Sequence, residues 1–481
     1  MHPLRNFLMK LSVFERPTTL AICLFAIFAV FAFGQSGRAP ARAVTEELPT
    51  VQSLFDEANT YRRKKFEEYE KKKLPVSEVL RLQAEREQKQ LAAKYAAAVA
   101  KRQNLTDDDR YYLALLYWIA ENFDETAAVL GKLLAEGDLS GERRQASRSL
   151  LAVVLAKQLH PLDAAAIYAD YLKSEPTKLN ERLRIATEIA RAFLAVRQPE
   201  KAQHFATSAF SLARQIFGNQ MSNPAALDIM FDAGLLAFET YRDSADAQMA
   251  RSTLEQLRAD AAKAGNTALY FYALDKRLVY EIESGRKLAA LAEVKRLLED
   301  GFPDLPLPGQ REDVLRRLRK REIQYKLLNE LAPELEGIDK WLPGKEIKLK
   351  DQRGKVILLD FWATWCGPCF AAFPHLIDWD RAYKDQGLVI VGVTRYYGET
   401  AGTPASKADE FEYLRRFKEQ YKLPYDFAVA RNQEPHIAYG ATSLPTAVLI
   451  DKAGKIRYIE SGTSSSRIEE MRDMILKLLK E

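Results

Sequence analysis

The sequence predicts a multidomain chain: an all-α region of stacked helical hairpins, followed by an α/β domain. Three observations predict it. From about residue 43 to 300 apolar residues recur at helical spacing, and the pattern repeats every 38 residues. A Pro- and Gly-rich break, DGFPDLPLPGQ at 300–310, then ends the helical pattern. Beyond it, KVILLDFWA at 355–363 and GLVIVGVTRY at 387–396 are continuous runs of branched apolar residues, as expected of strands buried on both faces. A chain of 481 residues exceeds what one core organises. With 47% hydrophobic and 28% charged residues it is not disordered as a whole.

At the N-terminus, Arg5, Lys10 and Arg16 precede an apolar run from Leu20 to Phe33, and Ala32-Phe33-Gly34 has the small-x-small pattern of a cleavage site. The run has 14 residues, short of the ~20 a membrane-spanning helix needs. Residues 1–34 are therefore expected to be a signal peptide cleaved after Gly34, with a retained membrane anchor as the alternative. Export to a bacterial periplasm or cell envelope follows. Cleavage would also remove Cys23, one of three cysteines. The net charge of +5 comes from 71 basic against 66 acidic residues, too near balance to indicate a polyanionic partner. The run YRRKKFEEYEKKK at 61–73 interleaves glutamates with its lysines and reads as a solvated helix face, so no nucleic-acid partner is expected.

Residues 35–108 are expected to be a helical N-terminal segment, and 109–300 the repeats. In YYLALLYWIAENFDETAAVLGKLL a first helix carries Leu113, Ala114 and Tyr117 and a second carries Thr126, Leu130 and Leu133. The outline recurs with Ala164, Tyr168 and Leu172, then with Ala202, Phe205 and Ala209. The small residue opening each second helix lets the paired helices approach closely. This resembles the tetratricopeptide repeat, although that family's period is about 34 and its hallmark Trp and Gly are mostly missing here. The resemblance implies a concave surface for a partner protein or peptide; the alternative is a stacked body whose aromatic residues are all core.

Residues 301–330 are expected to be a linker and one charged helix, and 331–481 a domain that folds and reacts alone. Its first buried strand ends at Cys366-Gly-Pro-Cys369, which opens a helix through FAAFPHLIDWDRAYKDQ. The second strand follows, making a right-handed crossover. A helical insertion KADEFEYLRRFKEQY, a hairpin formed by SLPTAVLID and IRYIESG, and an amphipathic helix complete it. LLDFWATWCGPC, Pro374 in the next helix and SLPT before a strand together resemble the thioredoxin fold. The leader from Leu331 and the insertion make the domain most similar to exported thiol-disulfide oxidoreductases of the TlpA/ResA type.

The spacing has a chemical reason. Cys366 at a helix start meets unpaired N–H groups and the positive end of the dipole, which favour a thiolate nucleophile. Cys369, less than one turn on, is placed to attack a mixed disulfide and release the reduced substrate. Gly367 allows a tight turn, Pro368 suits the first helical turn, and Trp365 flanks the nucleophile. The resemblance adds Asp360 as the buried acid that assists proton transfer at Cys369, against a purely structural hydrogen bond. It adds Pro445 as the cis-proline beside the cysteines, with Leu444 shaping contact with a substrate strand. The Gly-Pro pair resembles the reducing members, at roughly −270 mV for thioredoxin against about −120 mV for DsbA.

The partners implied are a disulfide-containing protein substrate and a membrane thiol donor of electrons, and no cofactor is needed. Two cysteines with His375 on the same helix do not complete a four-ligand zinc site, so no metal is expected; His375 and His436 read as ordinary helix residues. A peroxidase would show Thr-x-x-Cys, which is missing. A repeat scaffold with a redox-sensing dicysteine is the remaining alternative.

Overall fold

The computed structural model describes residues 48–481 apart from 75, 76 and 222. The leader, Cys23 and the cleavage pattern lie outside the described residues. Residues Thr50–Glu481 form one compact unit. Its first part is all-helical: α1 (Val51–Lys71), α2 (Glu78–Val99), α3 (Asp107–Ile119), α4 (Phe123–Glu136), α5 (Gly141–Lys157), α6 (Pro161–Leu172), α7 (Leu179–Ala195), α8 (Pro199–Asn219), α9 (Pro224–Asp243), α10 (Ala247–Lys263), α11 (Thr267–Glu283), α12 (Lys287–Asp300) and α13 (Pro308–Leu327). No helix among the described residues is long and apolar enough to cross a membrane.

Local chemistry sets the helix starts. Thr106 closes a capping box with Asp109 at α3, the side chains of Asn122, Asp246 and Asn266 cap α4, α10 and α11, and proline opens α6, α8, α9 and α13. The second helices α4, α6 and α8 begin 38 residues apart. The small residues predicted at their contacts, Thr126, Ala164 and Ala202, are fully buried, and Ala250 on α10 and Ala290 on α12 occupy the same position. Each of the first three hairpins turns through a residue with positive φ: Glu121, Leu159 and Arg197.

An α/β domain follows, with β1 (Ile338–Leu342), β2 (Val356–Phe361), α14 (Gly367–Tyr383), β3 (Leu388–Arg395), a small hairpin of β4 (Glu399–Thr400) and β5 (Thr403–Pro404), α15 (Lys407–Gln420), β6 (Asp426–Ala430), α16 (Glu434–Ala438), β7 (Thr446–Ile450), β8 (Ile456–Ser461) and α17 (Ser465–Lys480). Six strands form one sheet in the order β1-β6-β3-β2-β7-β8. β2, β3 and β6 run parallel, and β7, β8 and β1 are antiparallel to their neighbours. This is a thioredoxin-like domain behind a large helical region. β1 and β6, which the sequence reading did not single out, complete the sheet beyond β3.

Alternation along β2 divides the two faces of the sheet. Val356, Leu358 and Trp362 share a core with Cys366, Cys369 and residues of α14, α15 and α17. Ile357, Leu359 and Phe361 belong to a core that is continuous with the helical region. α13 packs on this second face. Arg321, only 8% exposed, pairs with Asp275 of α11 at 2.8 Å and donates to the carbonyl of Ile459 and to Glu460 on β8. Gln324 donates to the Gly440 carbonyl at 2.8 Å. Past α13 the chain lies along β8, with Asn329 N–H donating to the Ile456 carbonyl and Ile456 N–H to that of Glu330. The expectation that residues from 331 onward fold alone leaves out this layer. Without α13, Glu460 loses the Arg321 guanidinium and apolar residues of this face lose their cover.

Candidate active site

The dicysteine lies where β2 passes into α14. Cys366 is the N-cap, Gly367 and Pro368 open the helix, and Cys369 N–H donates to the Cys366 carbonyl at 2.9 Å. The two sulfurs are joined as a disulfide. Cys366 keeps 4% of its surface and Cys369 none, so of the two only the first reaches the protein surface. Gly367, Pro368 and Trp365 are exposed around it. Trp365 stands edge-on to Tyr397 at 5.3 Å.

Two loops close the far side. The Leu444–Pro445 peptide is cis, Pro445 is buried, and its carbonyl accepts from Gly462 N–H at 2.8 Å. Leu444 packs against both cores. The Thr463 hydroxyl donates to the Pro368 carbonyl at 3.3 Å, tying the loop after β8 to the dicysteine turn.

Asp360 occupies β2 between Leu358 and Trp362 in the alternation, and so faces the core that contains both cysteines. Its lateral neighbours are Gly392 on β3 and Ala447 on β7. Neither supplies a polar group, and Asp360 Oδ2 has no hydrogen-bond partner. Glycine is required at 392, because a Cβ there would lie 2.9 Å from Trp362 Nε1 and 3.0 Å from Phe427. Trp362 in turn packs on Phe427 and Phe417, with ring centroids 4.9 and 5.2 Å away. Burial in this apolar setting pushes the Asp360 carboxyl up to about 7.

His375 is exposed on α14. His436 on α16 is buried edge-on to Phe361 at 5.2 Å, with neither ring nitrogen partnered, and burial pushes its imidazole down to about 4. Among the described residues no group of three potential ligands could hold a metal ion.

The Redoxin family matches residues 328–475. The thiol-disulfide oxidoreductase ResA of Bacillus thuringiensis subsp. konkukian is 36% identical over 131 residues, which span 27% of this chain and 68% of that protein. The chain belongs to this thiol-disulfide oxidoreductase family. Protein DipZ of Mycobacterium bovis is 37% identical over 142 residues, 29% of this chain but only 19% of that protein's length. Among solved structures, a putative thiol:disulfide interchange protein DsbE from Chlorobium tepidum is 30% identical and covers 32% of this chain and 97% of that one, at a TM-score of 0.26.

Within this ResA-like domain the expected site residues lie on adjacent elements, while His375 and His436 stand apart from them. Trp365 to Cys369 form one turn, Leu444 and Pro445 lie in the loop that enters β7, next to β2, and Asp360 lies behind on the cysteine face. Sequence reasoning missed Gly392 and Ala447, whose small size is meaningful only in register with Asp360. It also missed Arg395, Tyr397 and Glu410. Arg395 and Tyr397 stand in the aromatic TRYYG that ends the second strand, whereas Glu410 lies in the helical insertion with no local signal.

Proposed function

We propose that this chain reduces protein disulfides in an exported compartment through Cys366 and Cys369. The observation that carries the reading is the asymmetry of the pair: the slightly exposed sulfur sits at a helix N-cap, and the buried one shares its core with a desolvated acid.

In the reduced enzyme the Cys366 thiolate, favoured by the helix terminus, attacks one sulfur of the substrate disulfide and expels the other as a thiolate, which takes up a proton. Cys369 then attacks Cys366 Sγ while its proton passes to Asp360, whose raised affinity suits it to accept near neutral pH. The second substrate thiol leaves and the Cys366–Cys369 disulfide remains, so two electrons have moved to the substrate. Leu444 and the backbone before Pro445 serve as the edge for a substrate strand, and Trp365, Gly367 and Pro368 as the contact surface around Cys366. A membrane thiol donor would restore the dithiol. The tetratricopeptide-like hairpins, residues 109–300, recruit the partner.

The test is a trap. Cys369→Ser keeps the nucleophile and removes the group that frees the partner, so in the native host it should accumulate adducts that collapse on reduction, while Cys366→Ser traps none. No adducts from Cys369→Ser would overturn the assignment of roles.

A further inference from the structure

Beside Trp365 the end of β3 forms a wall in which a cation lies on an aromatic ring. The Arg395 guanidinium lies over the Tyr397 ring at 4.1 Å, and the Lys407 ammonium lies 5.6 Å from the Tyr396 ring. Tyr397 in turn meets Trp365, whose neighbour is Cys366. The wall is rigidly mounted. Glu410, 4% exposed in the first turn of α15, accepts from Tyr397 N–H at 2.6 Å and from Gly398 N–H at 3.0 Å, and Tyr396 donates its hydroxyl to Asp339 at 3.1 Å.

These contacts occupy the nearby acids Glu410 and Asp339 with neutral donors. Arg395 donates to the Tyr396 carbonyl at 3.3 Å, and neither Arg395 nor Lys407 has a carboxylate partner among the described residues. A half-buried guanidinium that lies on a ring and has no carboxylate partner among the described residues fits a carboxylate brought by another molecule.

We propose that Arg395, carried on Tyr397 beside Trp365, selects disulfides whose cysteines are flanked by acidic side chains. The inference rests on the oxidoreductase reading and adds the substrate class. A segment docked with its disulfide at Cys366 places the flanking residues against this wall. Glu410 is a positioning residue for the wall. The preference is electrostatic, so it acts on encounter and orientation and weakens with salt.

The test uses the full chain and two peptides, each with one intramolecular disulfide and identical except for Glu or Lys beside the cysteines, with dithiothreitol as the recycling reductant. The quantity read is the ratio of kcat/KM for the two peptides, which does not depend on the fraction of active protein. The wild type should favour the Glu peptide about tenfold at low ionic strength, and 0.5 M salt should remove most of the preference. Arg395→Gln should lower the ratio about fivefold, Arg395→Glu should invert it, and Arg395→Lys should largely keep it. Equal kcat/KM for both peptides in the wild type, or a ratio unmoved by Arg395→Gln and Arg395→Glu, overturns the proposal while leaving disulfide reduction intact. No turnover of either peptide or of bis(2-hydroxyethyl) disulfide overturns the oxidoreductase reading, and the substrate class falls with it.

Discussion

Replacing Asp360 with Asn removes the sole ionisable side chain of β2 and should change how stability depends on pH. The folded carboxyl holds its proton up to about 7, against an ordinary value of 3.8. Between those values the folded chain binds a proton that the unfolded chain has released, so stability falls as pH rises across the interval. The penalty is absent below pH 3.8 and complete above about 7. At about 1.4 kcal/mol for each pH unit, it reaches roughly 4 kcal/mol. Asn carries no such penalty, but its buried amide costs about 1–3 kcal/mol at every pH for lack of a partner. The stability of Asp360→Asn relative to wild type should therefore rise by roughly 4 kcal/mol between pH 4 and pH 8, turning from less stable to more stable. Urea unfolding of both disulfide forms at half-unit pH intervals reads this directly, and other titrating groups, His436 included, cancel in the difference. A constant difference, or one that changes only below pH 5, would refute the desolvation argument. The proposed role of the acid at Cys369 predicts that the same variant slows release of the mixed disulfide more than its formation.

Two further outcomes follow from the helical region. Arg321→Met leaves Asp275 and Glu460 without their shared cation at the junction of α11, α13 and β8, and should destabilise the chain by about 3–5 kcal/mol in urea unfolding; a loss under 1 kcal/mol would mean that the buried pairs contribute little net stability. Leu159 is 51% exposed at a φ of 62°, so Leu159→Gly removes a left-handed penalty without emptying a core, and should raise stability by about 1 kcal/mol in thermal unfolding. A lower Tm would assign Leu159 a packing role.

The chain declares its elements locally. The 38-residue recurrence, the apolar run of β2 and the Cys-Gly-Pro-Cys at the start of α14 depend on periodicity and on residues a few positions apart, so they were legible in the sequence. β6 was not, because DFAVA is five residues long and too short to show a period. The chemistry at the site depends on contacts across longer distances. Asp360 could be read as a buried acid, but its affinity for a proton is set by Gly392 and Ala447 on neighbouring strands and by the rings around Trp362. The TRYYG run could be seen in the sequence, but only the fold set Tyr397 against Trp365, Arg395 over Tyr397, and Glu410 under the Tyr397 and Gly398 amides. Only the tertiary structure showed that α13 covers one face of the sheet. Sequence periodicity specifies that a strand has two apolar faces; which element buries each is decided by packing between segments far apart in the chain.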